Sequence, residues 1–175
     1  MNNLKVFATE RNYKQASQTL LSIVDLSNYF KTYDKIKQIS DVLKDKETLL
    51  NALNTQIKDE FSLHFKNMGS HPNEVLYDAC LLAEALGKQS KNDIIKMAVD
   101  TVLHGYRELF ERRDNKTIDS IEKRYAWFLR TLADFKSKYI EIFPHYWGIL
   151  CFIINEFCGL TSIHVNEILQ TQFIK

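Results

Sequence analysis

The side chains of this 175-residue sequence best suited to metal or nucleophilic chemistry are five histidines and three cysteines. Their spacing supports neither use. His64, His71, His104, His145 and His164 form no i, i+4 pair and no H-E-x-x-H, the arrangements that put two imidazoles on one helix face around a zinc ion. Cys80, Cys151 and Cys158 form no C-x-x-C. Cys151 and Cys158 stand seven apart in a helical stretch, about 10.5 Å along the axis, whereas a disulfide needs Cα atoms within about 7 Å. An odd number of thiols in apolar surroundings suits a reducing cytosol, and all three read as small core residues. There is no G-x-x-x-x-G-K-[ST], G-x-G-x-x-G or G-x-S-x-G, so neither a phosphate loop nor a serine nucleophile is expected. The sequence therefore predicts no catalytic residue, no metal site and no cofactor: not an enzyme.

Charge chemistry is the next possibility. Between residues 112 and 138, Arg112, Arg113, Lys116, Lys123, Arg124, Arg130, Lys136 and Lys138 outnumber Asp114, Asp119, Glu122 and Asp134. Lys123 and Arg130, seven apart, share a helix face, with the loop arginines near its start. Arg112, Arg113, Lys116, Lys123, Arg124 and Arg130 are thus candidate contacts for an acidic partner or lipid headgroups. A merely solvated helix face is the plainer reading. The whole chain carries a formal net charge of only +1, too weak a field to imply nucleic acid.

The elements that would position these residues are helices. Five glycines and two prolines leave few tight turns for an all-β fold, and the long Lys/Glu/Leu/Ile-rich stretches between them favour helix. A first helix is expected over Asn3 to Phe30. After a stub ending near Ser40, a second, capped by Ser40, runs to Asn67. Gly69 and Pro72 in MGSHPN punctuate the chain before a short apolar helix from Val75 to Leu86, closed by Gly87. Ser90 and Asp93 form a capping box for the next helix, which ends near Phe110. From Thr117, Ile118, Ile121, Tyr125, Phe128, Leu132, Phe135, Tyr139 and Ile142 step alternately by three and four, an apolar stripe with a seven-residue repeat. Pro144 breaks its phase. An almost wholly apolar helix, expected at the centre of the bundle, follows from His145 to Cys158, and a last helix capped by Thr161 follows Gly159. Trp127 and Trp147 read as core or corner residues. The fold class is all-α: an antiparallel bundle of about seven to eight helices, one domain over residues 1–175, and a segment of something longer because the pattern is still helical at FIK. The longest apolar run, Ile149 to Ile154, is far shorter than the roughly 20 residues that span a bilayer.

Two stretches resemble a known family. TERNYKQASQTLLSIVDLSNYFKTYDKIKQISDV is similar to an N-terminal pattern of multisubunit tethering-complex subunits. IEKRYAWFLRTLADFKSKYIEIFPHYWGILCFIINEFCGLT resembles the vacuolar protein sorting fifty-three family of the Golgi-associated retrograde protein (GARP) and endosome-associated recycling protein (EARP) complexes. Arg124, Tyr125, Ala126, Trp127, Tyr139, Phe143, Pro144, Trp147, Glu156, Phe157, Cys158 and Thr161 carry the likeness in order. Of these, Tyr125, Trp127, Phe143, Pro144, Trp147, Phe157 and Cys158 are expected in the core. The resemblance implies a CATCHR-like helical rod segment in a non-catalytic tether for endosome-to-trans-Golgi transport and endosomal recycling. Its implied partners are the other tethering subunits, SNAREs and small GTPases. Its implied place is the cytosol, peripherally and indirectly attached to trans-Golgi and endosomal membranes. The alternative from another class is a peripheral membrane-binding bundle that uses the basic face.

Overall fold

The computed structural model describes residues 2–33, 35–66, 74–110 and 120–173. Among them are seven α-helices and no strand: α1 (Asn2–Thr9), α2 (Tyr13–Phe30), α3 (Lys37–Lys66), α4 (Val75–Leu86), α5 (Lys88–Phe110), α6 (Ser120–Tyr139) and α7 (Ile149–Phe173). The chain divides into two compact units, residues 1–94 and 95–175.

In the first unit, the expected single helix over Asn3 to Phe30 is two. Arg11 takes a left-handed conformation at φ +56°, and the Asn12 side chain accepts from the Gln15 amide at 3.2 Å, capping α2 and turning the corner. Conversely, Ser40 caps nothing. It lies inside the first turn of α3, its amide donating to the Ile36 carbonyl at 3.0 Å. α2 and α3 run antiparallel: the Tyr13 hydroxyl at the start of α2 donates to Glu60 Oε1 at 3.1 Å and accepts from Gln56 Nε2 at 3.1 Å, both late in α3. Arg11 also reaches Glu60, at 2.8 Å. Burial and the Glu60 charge push the Tyr13 phenol up to about 12, because both disfavour phenolate. α4 packs against α2 and α3. Ala16 and Ser17 on α2 and Ala79 and Ala83 on α4 are buried, and such small side chains let two helix axes approach closely. Gly87, at φ +125°, ends α4 with its amide directed at the Ala83 and Glu84 carbonyls, a position an L side chain would strain. The Ser90–Asp93 pair does not cap α5, which starts earlier. Ser90 Oγ donates to Asn54 Oδ1 at 2.8 Å, and Asp93 pairs with Lys58, so both residues tie α5 to α3. The expected Gly69 and Pro72 punctuation lies outside the described residues.

In the second unit, α5, α6 and α7 enclose an aromatic core of Tyr106, Phe110, Phe128 and Phe157. The proline corner is more elaborate than expected. Two single 3₁₀ turns, Ile140–Ile142 and His145–Trp147, flank Pro144. Gly148 at φ +62° then launches α7, so the long helix starts at Ile149. α7 passes through Gly159 and Thr161 without a break. A glycine in mid-helix costs about 1 kcal/mol, which the burial of Ile153, Phe157, His164 and Ile168 on either side outweighs. Nor is α7 central: Ile149, Ile153, Phe157, His164 and Ile168 are buried, while Cys151, Phe152, Ile154, Cys158, Ile163 and Leu169 are exposed. By length and composition alone this helix could cross a bilayer, despite its short apolar run. Its inner face nevertheless carries a buried histidine and packs against aromatic side chains.

Candidate functional site

Of the basic residues singled out in the sequence, the structure describes Lys123, Arg124, Arg130, Lys136 and Lys138. Lys123 and Arg130 are exposed on α6, as are Lys136 and Lys138. Arg112, Arg113 and Lys116, like Thr117 and Ile118, lie outside the described residues. Arg124 is 0% exposed. Expected at the surface, it is the largest fully buried side chain of the described chain. Tyr125, expected in the core, is instead 59% exposed. The cause is helical geometry. A strict seven-residue stripe on a straight α-helix drifts by about 20° per heptad. Two heptads back from Tyr139, the stripe has turned by about 40° at Tyr125, and Ser120 and Arg124 have rotated inward. The buried face of α6 is Ser120, Arg124, Phe128, Phe135 and Tyr139.

Around Arg124 the unit builds a fork-shaped set of acceptors. Nε donates to Ser120 Oγ one turn earlier, at 3.2 Å. Nη1 donates to the Tyr106 hydroxyl at 2.9 Å and contacts His164 Nδ1 at 2.8 Å. Nη2 donates to the Phe110 carbonyl at 3.2 Å. A guanidinium has only donors, so His164 Nδ1 accepts and the imidazole hydrogen sits on Nε2. Phe110 is the last described residue of α5, so a cation there sits toward the negative end of the helix dipole. The guanidinium carbon lies 4.8 Å from the Phe110 ring centre and 5.7 Å from that of Tyr106, within cation–π range. Tyr106 passes the network on to Thr161 Oγ1 at 2.9 Å and stacks on His164 with rings 11° from parallel. One planar cation therefore joins α5, α6 and α7 at their common core.

Close packing surrounds this centre. Phe128 and Phe157 stack 3.8 Å apart at 3°. Trp127 lies 5.7 Å from Tyr106 and 6.4 Å from Phe110, centre to centre. A Cβ on Gly105 would come within 3.2 Å of Trp127 Cζ2, so the absent side chain makes room for the indole. Nearer the surface, Arg107 bridges Asp100 at 3.0 Å and Glu156 at 3.2 Å. Of the other motif residues, Phe143, Pro144, Trp147 and Phe157 are buried and Trp127 is half-buried. Cys158 and Cys151 are exposed and correct the core expectation; Cys80 is buried in α4. Burial, reinforced by Glu84, pushes the Cys80 thiol up.

Chemically, this arrangement holds helices together. The guanidinium is enclosed by protein, and the acceptors named above come from α5, α6 and α7. Among the described residues, no three His, Cys, Asp or Glu side chains converge as metal ligands. Sequence reasoning missed Tyr106, Ser120, Thr161 and His164 as a set. The available signal was Ser120, Arg124 and Phe128 at four-residue steps, on the side from which the apolar stripe drifts away.

Comparison with known proteins bears on the same segment. A family profile described as "Vps53, N-terminal" matches residues 1–174. The chain is similar to "Vacuolar protein sorting-associated protein 53 A" of Arabidopsis thaliana, 25% identical over 172 residues that make up 97% of this chain and 21% of that protein. It is also similar to the homologue in Caenorhabditis elegans, 23% identical over 163 residues, 92% of this chain and 20% of that one. The protein of that name in Saccharomyces cerevisiae is 22% identical over 153 residues, 83% and 18% of the two chains. This chain thus spans about a fifth of the length of the relatives it matches. No solved structure matches it.

Proposed function

The chain belongs to the Vps53 N-terminal family, and from that premise we propose that it is a non-catalytic helical segment of a vesicle-tethering subunit. The tether acts in endosome-to-trans-Golgi retrograde transport, as in the GARP complex, and in endosomal recycling, as in EARP. The observation that carries this reading is the family match from residue 1 to residue 174, which includes the Arg124-to-Thr161 motif. The architecture supports it. A tether must hold two membranes at a controlled distance, which calls for stiff elements rather than reactive groups. α3 alone has 30 residues, about 45 Å of helix at 1.5 Å per residue, and Arg124 locks three further helices at one point. No bond is made or broken in such a role. The segment works as scaffold and interaction surface for the other tethering subunits, and for SNAREs and small GTPases. It sits on the cytosolic side of trans-Golgi and endosomal membranes, attached peripherally through those partners.

The test is replacement in cells. Where the endogenous subunit has been removed, the full-length subunit should restore retrieval of a cycling receptor to the trans-Golgi. The same subunit lacking residues 1–175 should leave that receptor in scattered endosome-derived vesicles. Full retrieval by the deleted form, at equal expression, would refute the proposal.

A further inference from the structure

Large exposed apolar side chains gather at one end of the α2–α3 hairpin. Leu26 is 60% exposed, Val42 55%, and Tyr29, Phe30, Tyr33 and Ile36 are exposed beside them. Of these, Leu26, Phe30 and Val42 line an open groove of about 400 Å³ between the two helices, the size of a specific binding cleft. Its walls are regular. α2 contributes Ile23, Leu26, Ser27 and Phe30; α3 contributes Ile39, Val42, Leu43 and Lys46, with Gln38 beside them. Both sets follow i, i+3, i+4, i+7, the spacing of a helix face that packs on another helix. α4 packs on the same two helices but contributes no residue to this trough, which leaves it open to a further helix.

The geometry points to a docking site for an acidic amphipathic helix of a partner protein, completing a three-helix bundle with α2 and α3. Charge decides the chemistry of the occupant. Lys46 is the single charged residue lining the groove, while Asp25 and Asp41, both exposed, lie two residues from the wall positions Ile23, Ser27, Ile39 and Leu43. At 100° per residue that places them on the far sides of their helices. The Ser27 hydroxyl donates to the Ile23 carbonyl at 2.6 Å and asks nothing of a ligand. The occupant therefore needs apolar residues at heptad a and d positions and a Glu or Asp on the flank that meets Lys46. Each ladder covers eight residues, seven steps or about 10.5 Å, so two turns of partner helix fill it. A membrane fits less well: the apolar atoms line a trough rather than a raised face. The assignment does not rest on the tethering reading.

The probe is a fluorescent three-heptad synthetic peptide with Leu at a and d and Glu at e and g, titrated with the 175-residue chain and followed by anisotropy. Saturable binding is expected, weakened about tenfold or more, the equivalent of 1.4 kcal/mol, by Leu26→Asp, Val42→Asp and Lys46→Glu. These residues lie at the surface of the groove, so far-UV circular dichroism should be unchanged. A peptide with Lys at e and g should regain affinity for Lys46→Glu alone. Equal binding to all variants, or no binding to the wild type, overturns the assignment. So does binding to phosphatidylcholine–phosphatidylserine vesicles that the same substitutions abolish while peptide binding is absent, which makes the site a lipid surface. Self-association seen in sedimentation and abolished by them, again without peptide binding, makes it a contact between copies.

Discussion

Replacing Arg124 with alanine removes donors to Ser120, Tyr106, His164 and Phe110 at once, in a site where the side chain is 0% exposed. Removing one partner from a buried charged network costs about 3–5 kcal/mol. That is well below the sum of four bonds at about 1.5–3 kcal/mol each, because bonds sharing one group are not additive. Arg124→Lys keeps the charge but loses the planar fork, and should cost about 1–3 kcal/mol. Lys123→Ala, one residue away and exposed, should stay within about 0.5 kcal/mol. Both tryptophans, Trp127 and Trp147, belong to the unit spanning residues 95–175, so intrinsic fluorescence in urea reports that unit alone. With a slope of about 2 kcal/mol/M, a 4 kcal/mol loss moves the midpoint by about 2 M. If Arg124→Ala unfolds at the same urea concentration as Lys123→Ala, the guanidinium does not hold the three helices together and the reasoning fails.

Tyr13→Phe should cost about 1–3 kcal/mol through the lost bonds to Glu60 and Gln56, read from urea unfolding followed by circular dichroism. Because the folded Tyr13 pKa is raised to about 12 from 10.0, its contribution is whole below pH 10 and lost as pH rises through about 12; wild type should therefore lose more stability over that window than Tyr13→Phe, and an equal loss would contradict the cause given. Gly105→Ala, which would ordinarily stabilise a helix by about 1 kcal/mol, should instead destabilise by about 1 kcal/mol and shift tryptophan emission, because Trp127 Cζ2 stands 3.2 Å from the new Cβ; a gain in stability would show that the indole gives way. Native alkylation with iodoacetamide, mapped by mass spectrometry, should label Cys151 and Cys158 and spare Cys80, whose thiol is buried and held protonated; labelling of Cys80 at the same rate would place it at the surface.

Fold class and the main helices were legible because apolar periodicity and the glycine and proline positions are local signals. Val75 to Leu86 with Gly87 behind it is one helix in both readings. The resemblance carried by Arg124 to Thr161 is likewise borne out by the family match. Boundaries failed where a side chain had two uses. Ser40 and Ser90 look like caps, but one is interior and the other binds Asn54. Asn12 caps inside what reads as a single helix. The network around Arg124 was illegible for a different reason. A lone arginine on a helix is exposed by default, and its partners Tyr106 and His164 stand 18 residues before it and 40 after. Only the drift of the stripe on α6 hinted at which face turns inward. α7 misled through composition: apolar on most sides, it reads as central, yet one side of it is exposed. The proposed tethering role rests on the order of motif residues and the family they point to.

The central claim, that this segment belongs to a tethering subunit, is tested most directly by purifying the full-length subunit from cytosol under mild conditions and quantifying what accompanies it by mass spectrometry. The account expects the other three subunits of a GARP- or EARP-type tether in near-equal amounts. Recovery of the subunit alone, or in stoichiometric complex with machinery other than a vesicle tether, would contradict it.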